Sequence, residues 1–311
     1  MTSCPICLEA GGRQADGYHD SCVLTLLGPP PMAPRMALGA RDLTESNVVE
    51  VGRGSISGVQ PKVLVQRSVD GHHLEVVGKG GLYILKPQTS THRALPENEH
   101  TTMTLARRLG LAVPPCGLIR LADDSWAYII RRFDRSLDGS RRIRQEDFCA
   151  LAELKAEKKY DVSAELCVRL LRQHVAPQDL PAEVLRLFRQ LLFSWWVGNG
   201  DLHLKNLSLT AGLDGRWRLT PAYDLVSTEL VLPGDTLALP IQGKKNKLLR
   251  GDWLHFAKYC GIVETDAEAE IARLQTSAAM AGDLIVRSYL PQDMQARLIP
   301  FLERRSAQLG D

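Results

Sequence analysis

The segment GNGDLHLKNLSLT, residues 198–210, constrains this chain most, because it gathers acidic, basic and amide side chains in one loop. Its candidate side chains are Asp201, His203, Lys205 and Asn206. A second carboxylate, Asp224 in PAYD, follows two short apolar runs separated by a turn. Phosphoryl transfer uses this set, with a carboxylate beside the attacking hydroxyl and amide and carboxylate oxygens on Mg²⁺. An ordinary turn contains the same residue types, so the rest of the chain must distinguish the two interpretations.

Composition narrows the class of protein without selecting a function. At 311 residues the chain suits two domains or one bilobed domain, and its 44% hydrophobic and 24% charged residues are typical of a globular enzyme. Its net charge of +2 is too balanced for a protein that coats nucleic acid. No apolar run approaches a membrane span, and residues 1–10 lack the pattern of a secretory signal. We therefore expect a cytoplasmic protein without membrane contact.

The N-terminal segment contains four metal-ligand residues at short spacing. Cys4 and Cys7 form a CxxC pair, and His19 and Cys22 follow as HxxC. Three thiolates and one imidazole form a tetrahedral zinc site when the chain brings them together. The same residues also suit a small apolar cap with free thiols, and the sequence alone leaves both interpretations open.

A glycine-rich turn and a strand ending in lysine precede the loop. Glycines let backbone N–H groups approach anionic oxygens, so the turn GSISG supplies candidate ATP contacts at Gly54, Ser55, Ser57 and Gly58. The alternating segment LYILK predicts a strand that ends at Lys86, whose ammonium would pair with nucleotide phosphates. A structural hairpin and a solvated lysine at a sheet edge are the alternatives.

The next segments supply a partner for that lysine. Apolar residues recur at helical spacing through 95–114, which predicts a helix that stops at Gly110. Glu99 lies in the first turns of this helix. There it either forms an ion pair with Lys86 or interacts favourably with the positive end of the helix dipole. The segments CGLIRLA and SWAYIIRRFDR predict two antiparallel strands, and backbone groups at Ile130 and Arg131 are candidates for contact with an adenine.

The second half of the chain predicts mostly helices. Strong helical periodicity at 162–173 and 182–197 leads into the loop, and the tryptophan pair of FSWWV is expected in the core. LSLT and WRLT predict a hairpin through Asp214 and Gly215. Roughly the last 50 residues predict two amphipathic helices, the first capped by Thr265.

Eight motifs follow one another between about residue 54 and residue 224: SISGVQPK, ILKP, LPENE, AVPP, RRFDR, RQEDF, GNGDLHLKNLSL and PAYDL. In this order they resemble the HipA-family serine/threonine kinases of bacterial toxin–antitoxin systems. The resemblance implies an α+β, bilobed protein-kinase-like fold with a small β-rich N-lobe and a mainly helical C-lobe. The expected divisions are a Cys/His segment and linker at 1–45, the N-lobe with its glycine-rich loop at 46–135, and the C-lobe with the catalytic loop at 136–311.

The resemblance also implies ATP and Mg²⁺ as cofactors and a role for each residue of the loop. Asp201 would be the catalytic base, and His203 and Lys205 would support the loop and the transferred phosphoryl group. Asn206 and Asp224 would hold Mg²⁺.

In the N-lobe, the resemblance places Lys86 on the phosphates with Glu99 as its partner. Family members phosphorylate themselves on a serine of the glycine-rich loop, which maps to Ser55 and, because a second serine is present, also to Ser57. A phosphate there carries a charge of about −2, which would oppose the nucleotide phosphates and switch the enzyme off.

One departure narrows the resemblance to the short HipT type. Full-length HipA kinases carry an N-terminal subdomain of about a hundred residues, whereas residues 1–45 alone precede the predicted N-lobe here. In the short type that subdomain is a separate small protein, so this protein and an HTH DNA-binding antitoxin are the expected partners. DNA contact is expected only through the antitoxin. The family's protein substrates are aminoacyl-tRNA synthetases, and the short type implies the tryptophanyl enzyme.

Two other functions stay open on the sequence. Small-molecule kinases also combine a DxHxxN loop with a later aspartate, although the serines of GSISG favour a protein kinase. The third candidate is a degenerate kinase fold that only holds an antitoxin or corepressor on DNA. Retention of the lysine, both aspartates and the asparagine argues against that degeneracy.

Overall fold

The structure is a computed structural model that describes residues 3–11, 17–30, 32–46, 60–136, 139–212 and 214–310. The chain divides into two compact units. The first comprises Met1–Leu105, Pro114–Arg142 and Asp283–Gln295, and the second comprises Ala106–Val113, Ile143–Gly282 and Ala296–Asp311. The boundaries expected at residues 45 and 135 remain predictions.

The first unit is built on a five-stranded antiparallel sheet. Its strands are β1 (Val63–Arg67), β2 (Leu74–Val76), β3 (Tyr83–Pro87), β4 (Cys116–Arg120) and β5 (Trp126–Arg131). Their order is β2-β1-β3-β5-β4, so β3 lies inside the sheet. The strands predicted for LYILK, CGLIRLA and SWAYIIRRFDR are confirmed.

Side-chain alternation and turn chemistry explain the first hairpin. Val63 and Val65 on β1 are fully buried, and the residues between and after them are half-buried. Asp70 closes the turn to β2, because one of its oxygens accepts from the Ser68 hydroxyl at 2.5 Å and from the His72 N–H at 2.9 Å. Such side-chain bonds to nearby backbone favour a turn over continued strand.

The N-terminal segment and the sheet share one hydrophobic core. Helix α1 (Asp20–Leu27) contributes Leu26, and the segment before it contributes Ile6 and Tyr18 to the buried cluster that contains strand residues such as Leu85. Two more helices of this part of the chain are α2 (Ala40–Ser46) and α3 (Leu95–Arg108). Helix α3 confirms the helix predicted from residue 95, and Gly110 follows it with φ +82°.

The second unit is mostly helical with a small antiparallel sheet of order β6-β7-β8. Its strands are β6 (Gln145–Asp147), β7 (Ser208–Ala211) and β8 (Trp217–Leu219). Its helices are α4 (Phe148–Leu151), α5 (Ala164–His174), α6 (Leu180–Val197), α7 (Arg250–Cys260) and α8 (Glu264–Gln275), and helices α9 (Ala278–Val286) and α10 (Gln292–Gln308) contain residues of both units. The hairpin predicted through Asp214 and Gly215 is confirmed.

Helix α6 forms the core of the second unit. Trp195 and Trp196 are 1% and 0% exposed, which confirms their predicted place in the core. The Trp196 indole donates to Ser306 Oγ at 2.9 Å, so its polar atom is satisfied inside the fold. Arg189 on the same helix pairs through two nitrogens with Glu270 on α8.

The prediction of two C-terminal helices capped by Thr265 is wrong in two respects. Three helices, α8, α9 and α10, follow residue 263 in the described chain. Helix α8 starts at Glu264 with Val263 as its N-cap, so Thr265 lies inside the first turn. The Ser277 hydroxyl donates to the Arg273 carbonyl at 2.5 Å where α8 ends, and this local bond competes with continued helix. Among the described helices, none combines the length and the apolar character that a membrane crossing requires.

Candidate active site

Helix α6 ends in a glycine cap that starts the candidate loop. Gly198 has φ +69° and ψ +42°, the left-handed region that glycine enters without strain. A Cβ at this position would lie 2.9 Å from Glu229 Cβ and 2.9 Å from Phe301 Cζ, so space also requires glycine. The loop therefore leaves a buried helix in a fixed direction.

Asp201, the predicted catalytic base, is 3% exposed and is held through its carboxylate and its backbone. Its Oδ1 accepts from the Tyr160 hydroxyl at 2.7 Å, and its N–H donates to Asn199 Oδ1 at 3.0 Å. Its carbonyl accepts from the His203 N–H and from Asn206 Nδ2, each at 2.8 Å. These bonds give the carboxylate one orientation, as a positioned catalytic group requires.

His203 lies beside Asp201 as a buried ring. Its Nε2 is 3.7 Å from Asp201 Oδ1, and its ring makes a T-shaped contact with Tyr160 with 5.0 Å between centroids. Burial lowers the pKa of His203 to about 4, and the charge of Asp201 opposes this shift. Within the described chain neither ring nitrogen has a hydrogen-bond partner. His203 is therefore an uncharged ring at neutral pH with two buried polar atoms.

Asn206 and Asp224, the predicted Mg²⁺ ligands, offer oxygen atoms of the kind that Mg²⁺ binds. Asn206 lies on a short 3-10 helix, Leu204–Asn206, and is 4% exposed. Because Asn206 Nδ2 donates a hydrogen bond to the Asp201 carbonyl, Asn206 Oδ1 is the side-chain atom that can act as a Mg²⁺ ligand. Asp224 has φ +53°, a value that residues other than glycine seldom adopt. The donor set fits a hard divalent cation.

A tyrosine connects the Asp224 segment to the catalytic loop. The Tyr223 hydroxyl donates to the Lys205 carbonyl at 3.1 Å and shares a 2.5 Å hydrogen bond with Ser208 Oγ. Burial raises the pKa of Tyr223, so the hydroxyl keeps its proton for donation. The Lys205 side chain itself is exposed, unlike the other predicted residues of the loop.

Lys86 and Glu99 form a buried ion pair in the first unit. Lys86 Nζ is 2.7 and 2.9 Å from the two carboxylate oxygens of Glu99, and the residues are 2% and 4% exposed. Lys86 is opposite Tyr128 in the β3–β5 register, and its Nζ is 5.6 Å from the centre of that ring. The alternative of a solvated lysine at a sheet edge is therefore wrong. The predicted pairing is present in the structure.

The predicted adenine contacts lie at the end of β5. The Arg131 N–H donates to the Pro115 carbonyl at 2.9 Å, and the Arg132 N–H donates to the Leu82 carbonyl at 2.8 Å. Both donors are therefore engaged by neighbouring backbone. An adenine contact at Ile130 and Arg131 stays a prediction that must use other groups of the segment.

The four candidate residues of the glycine-rich turn, Gly54, Ser55, Ser57 and Gly58, lie outside the described residues. The first described residue after them is Gln60, which is buried and donates from Nε2 to the Pro87 carbonyl at 3.2 Å. Residue 60 is therefore fixed at the end of β3, one residue from Lys86.

Sequence reasoning missed three tyrosines that support these residues, namely Tyr128, Tyr160 and Tyr223. The place of Tyr223 in PAYD, directly before a candidate ligand, was the available signal. Tyr128 is opposite Lys86 through the pairing of two strands, and the sequence does not give that register. Tyr160 lies 41 residues before Asp201 in a polar segment, where no sequence pattern marks it.

Comparison with known proteins shows the family and the fold to which this chain is similar. The family model described as the HipA-like C-terminal domain matches residues 54–281. A Haemophilus influenzae protein named "Putative kinase" is 28% identical over 263 residues, which cover 78% of this chain and 72% of that protein. Two Sinorhizobium fredii relatives with kinase names are each 35% identical, and this chain spans 55% and 65% of their lengths.

Solved structures show the same fold. HipA from the Shewanella oneidensis MR-1 toxin–antitoxin system, solved with HipB and its operator DNA, has a TM-score of 0.70 at 22% identity over 88% of this chain and 71% of that chain. The Helicobacter pylori proinflammatory kinase CtkA has a TM-score of 0.56 at 14% identity over 80% of this chain and 88% of that chain. At these identities the likeness concerns the fold alone, and it confirms the predicted α+β, kinase-like class.

Proposed function

The chain belongs to the HipA-like C-terminal domain family, and from that premise we propose that it is an ATP- and Mg²⁺-dependent serine/threonine protein kinase. The geometry of the Asp201 loop is the observation that supports this most. In this buried loop the Tyr160 hydroxyl holds the Asp201 carboxylate, and the Asp201 carbonyl holds the Asn206 side-chain amide. Phosphoryl transfer depends on positioned charges more than on covalent chemistry, so a fixed carboxylate and amide are the parts it requires.

Each residue has a defined task in this proposal. Asp201 accepts the hydrogen bond of the substrate hydroxyl and orients it, and the bond from Tyr160 keeps the carboxylate in one plane. Lys86 binds nucleotide phosphates and Glu99 holds it in place. Bound Mg²⁺ would neutralise phosphate charge, and Asn206 and Asp224 are the groups to hold it.

Regulation is proposed to act through the glycine-rich turn. Ser55 and Ser57 are the candidate sites of autophosphorylation, and the added charge of about −2 would oppose a bound nucleotide. Gln60, the first described residue after this turn, is held at the end of β3 by its bond to the Pro87 carbonyl, one residue from Lys86.

We further propose that the chain is the toxin of a bacterial toxin–antitoxin system and acts in the cytoplasm. The likeness to HipA, which was solved with HipB and operator DNA, supports an HTH antitoxin as partner and DNA contact through that antitoxin. A small separate protein is the second partner. An aminoacyl-tRNA synthetase, tryptophanyl first, is the candidate substrate.

Incubation of the purified chain with ATP and Mg²⁺, followed by intact mass and site mapping, tests the proposal. We expect phosphate on Ser55 or Ser57, and we expect Asp201→Asn to reduce its rate by about 10²- to 10⁴-fold. Asp214→Asn is the matched control, because Asn-Gly forms the same hairpin turn as Asp-Gly and the lost ion pairs are exposed. Equal phosphorylation of the Asp201→Asn variant and the wild type would show that Asp201 takes no part in the phosphoryl transfer.

Expression in a bacterial host separates the remaining functions. Growth arrest by the wild type but not by Asp201→Asn supports the toxin, and phosphoproteomics of the arrested cells names its target. ATP turnover without any phosphorylated protein would indicate a small-molecule kinase. Absence of ATP turnover in the wild type would indicate a binding module.

A further inference from the structure

Three cysteine sulfurs and one histidine nitrogen meet near the N-terminus. One ligand atom each from Cys4, Cys7, His19 and Cys22 lies within 4.8 Å of every other. His19 Nδ1 is 3.3 Å from Cys7 Sγ and 3.8 Å from Cys22 Sγ. In a tetrahedral site with Zn–S and Zn–N bonds of normal length, sulfur and nitrogen are about 3.6 Å apart. The two observed separations bracket this value.

The backbone is folded to bring the four residues together. The Cys4 N–H donates to the Glu9 carbonyl at 2.8 Å, and the Leu8 N–H donates to the Cys4 carbonyl at 2.9 Å. Leu8 has φ +61°, which lets the chain reverse directly after the CxxC pair. His19 is the residue before helix α1, and Cys22 lies in the first turn of that helix. A turn and a helix start thus present two ligands each.

Neighbouring polar groups orient the ligands for a metal. His19 Nε2 lies 3.3 Å from the Ala10 carbonyl, so the ring donates there and turns the lone pair of Nδ1 towards the sulfurs. The His19 N–H lies 3.4 Å from Cys4 Sγ and donates to it, as backbone donors do to metal-bound thiolates. Cys4 is fully buried. A free thiol needs none of these supports.

We propose that Cys4, Cys7, His19 and Cys22 bind one structural Zn²⁺ ion. Four protein ligands close the coordination sphere, which is typical of structural rather than catalytic zinc. Thiolates are soft ligands and imidazole is a borderline one, and both favour zinc over Mg²⁺ or Ca²⁺. A disulfide would use two of the three sulfurs and leave the third beside the imidazole, and the described cysteines form no disulfide.

The ion would fix the N-terminal segment to the sheet and to helix α3. The Leu118 N–H on β4 donates to the Pro5 carbonyl at 2.9 Å, between the two cysteines of the pair. The Tyr18 hydroxyl donates to the Leu118 carbonyl at 2.9 Å, one residue before His19. The ring of His100, the neighbour of Glu99 on α3, lies 3.1 Å from the Ile6 carbonyl. The proposed zinc therefore supports the helix that carries the partner of Lys86.

Metal analysis of the full chain, purified without chelator and with any histidine tag removed, tests the site. We expect about one zinc per chain, and loss of that zinc in Cys7→Ser and Cys22→Ser, with a lower Tm. His19→Cys should keep the metal, because four thiolates also form a structural zinc site. Cys260→Ser, which removes a buried thiol of the second unit, is the matched control and should keep the metal. A zinc content near zero in the wild type, or equal zinc in all variants, would overturn the proposal.

Cobalt replacement checks the geometry without any variant. The wild-type chain is stripped with a chelator and loaded with Co²⁺, which reports its ligands by absorption. We expect thiolate-to-cobalt charge transfer and the intense visible bands of a tetrahedral ion. Only weak absorption, as given by octahedral Co²⁺ in water, would contradict the site. Neither readout depends on kinase activity, so the outcome is separate from that of the proposed function.

Discussion

Two buried carboxylates, Glu99 and Asp201, are stabilised in different ways. Glu99 has a cation at 2.7 and 2.9 Å, the Lys86 ammonium, so its charge is compensated inside the first unit. Asp201 in the second unit accepts a hydrogen bond from the neutral hydroxyl of Tyr160, and the imidazole beside it is held neutral by burial. One carboxylate is paired with a cation, and the other accepts a hydrogen bond from a neutral hydroxyl.

This difference makes the Lys86–Glu99 pair and the Asp201 site suited to different roles. A compensated pair keeps a lysine in one place and at one charge, which suits binding of phosphate groups. A carboxylate that a hydroxyl holds in one orientation suits the positioning of a second hydroxyl that enters later. His203, with its two orphaned ring nitrogens, and Asp224, with its positive φ, belong to the second unit together with Asp201.

The largest effect should come from breaking the compensated pair. Lys86→Met leaves Glu99 buried without its cation, and we expect the free energy of unfolding to fall by about 3 to 5 kcal/mol. Urea denaturation measures this. The double variant Lys86→Met/Glu99→Leu should recover most of the loss, because apolar replacement of a buried pair is often neutral.

The exposed pair Lys158–Asp161, with 3.0 Å between its atoms and side chains 63% and 57% exposed, provides the control. Lys158→Met should cost about 0 to 1 kcal/mol. If both lysine variants lost the same stability, the compensation of Glu99 by Lys86 would not be what distinguishes the two carboxylates.

A smaller effect should appear on acidification, through the neutral ring of the second unit. The pKa of His203 is about 4 in the folded chain, below its ordinary value of 6.5. Its contribution to stability is complete above pH 6.5 and is lost as the pH falls towards 4, because the unfolded chain alone takes up the proton. We expect a loss of about 2 to 4 kcal/mol over this window. Urea unfolding of wild type and His203→Gln at the two ends of the window measures it, and the variant should lose less.

Glu97 on α3 provides a second test, in which the free energy of unfolding depends on pH in the opposite direction. Burial raises its pKa to about 7 from the ordinary 4.5, so its contribution is complete below 4.5 and is lost as the pH rises through 7. Glu97→Gln should therefore flatten the loss of stability on the alkaline side and leave the His203 effect in place. Parallel pH curves for wild type and His203→Gln would show that the ring is not held neutral by burial.

The sequence predicts the first site better than the second. Lys86 and Glu99 lie 13 residues apart on a strand and the next helix, and both elements have clear periodicity. The resemblance to the kinase family then implied their pairing. In the second unit the motif predicts Asp201, His203 and Asn206 together. It does not predict how they are held, because the supporting groups come from distant segments.

Tertiary packing also decides features that local patterns leave open. Thr265 followed by a glutamate three residues later resembles a capping box, yet α8 starts two residues earlier, with Val263 as the N-cap and Glu264 as the first helical residue. The break between α8 and α9 contains a local hydrogen bond from the Ser277 hydroxyl to the Arg273 carbonyl, which the periodicity of apolar residues does not report. The presence of helices was predictable from the sequence, whereas their boundaries depend on contacts in the folded chain.

The smallest effect should come from Tyr160, the support of Asp201 that the sequence did not reveal. Tyr160→Phe removes the hydroxyl that donates to Asp201 Oδ1 at 2.7 Å and keeps the ring that packs on His203. We expect the free energy of unfolding to fall by about 1 to 2 kcal/mol and kcat for phosphorylation to fall about tenfold. The KM for ATP should stay unchanged, because the hydroxyl contacts the carboxylate and not the nucleotide. Tyr259→Phe, at an exposed ring stacked on Phe256, is the control. An equal kcat in the two variants would mean that the backbone bonds alone orient Asp201, and the contrast with Glu99 would then lie in charge and not in orientation.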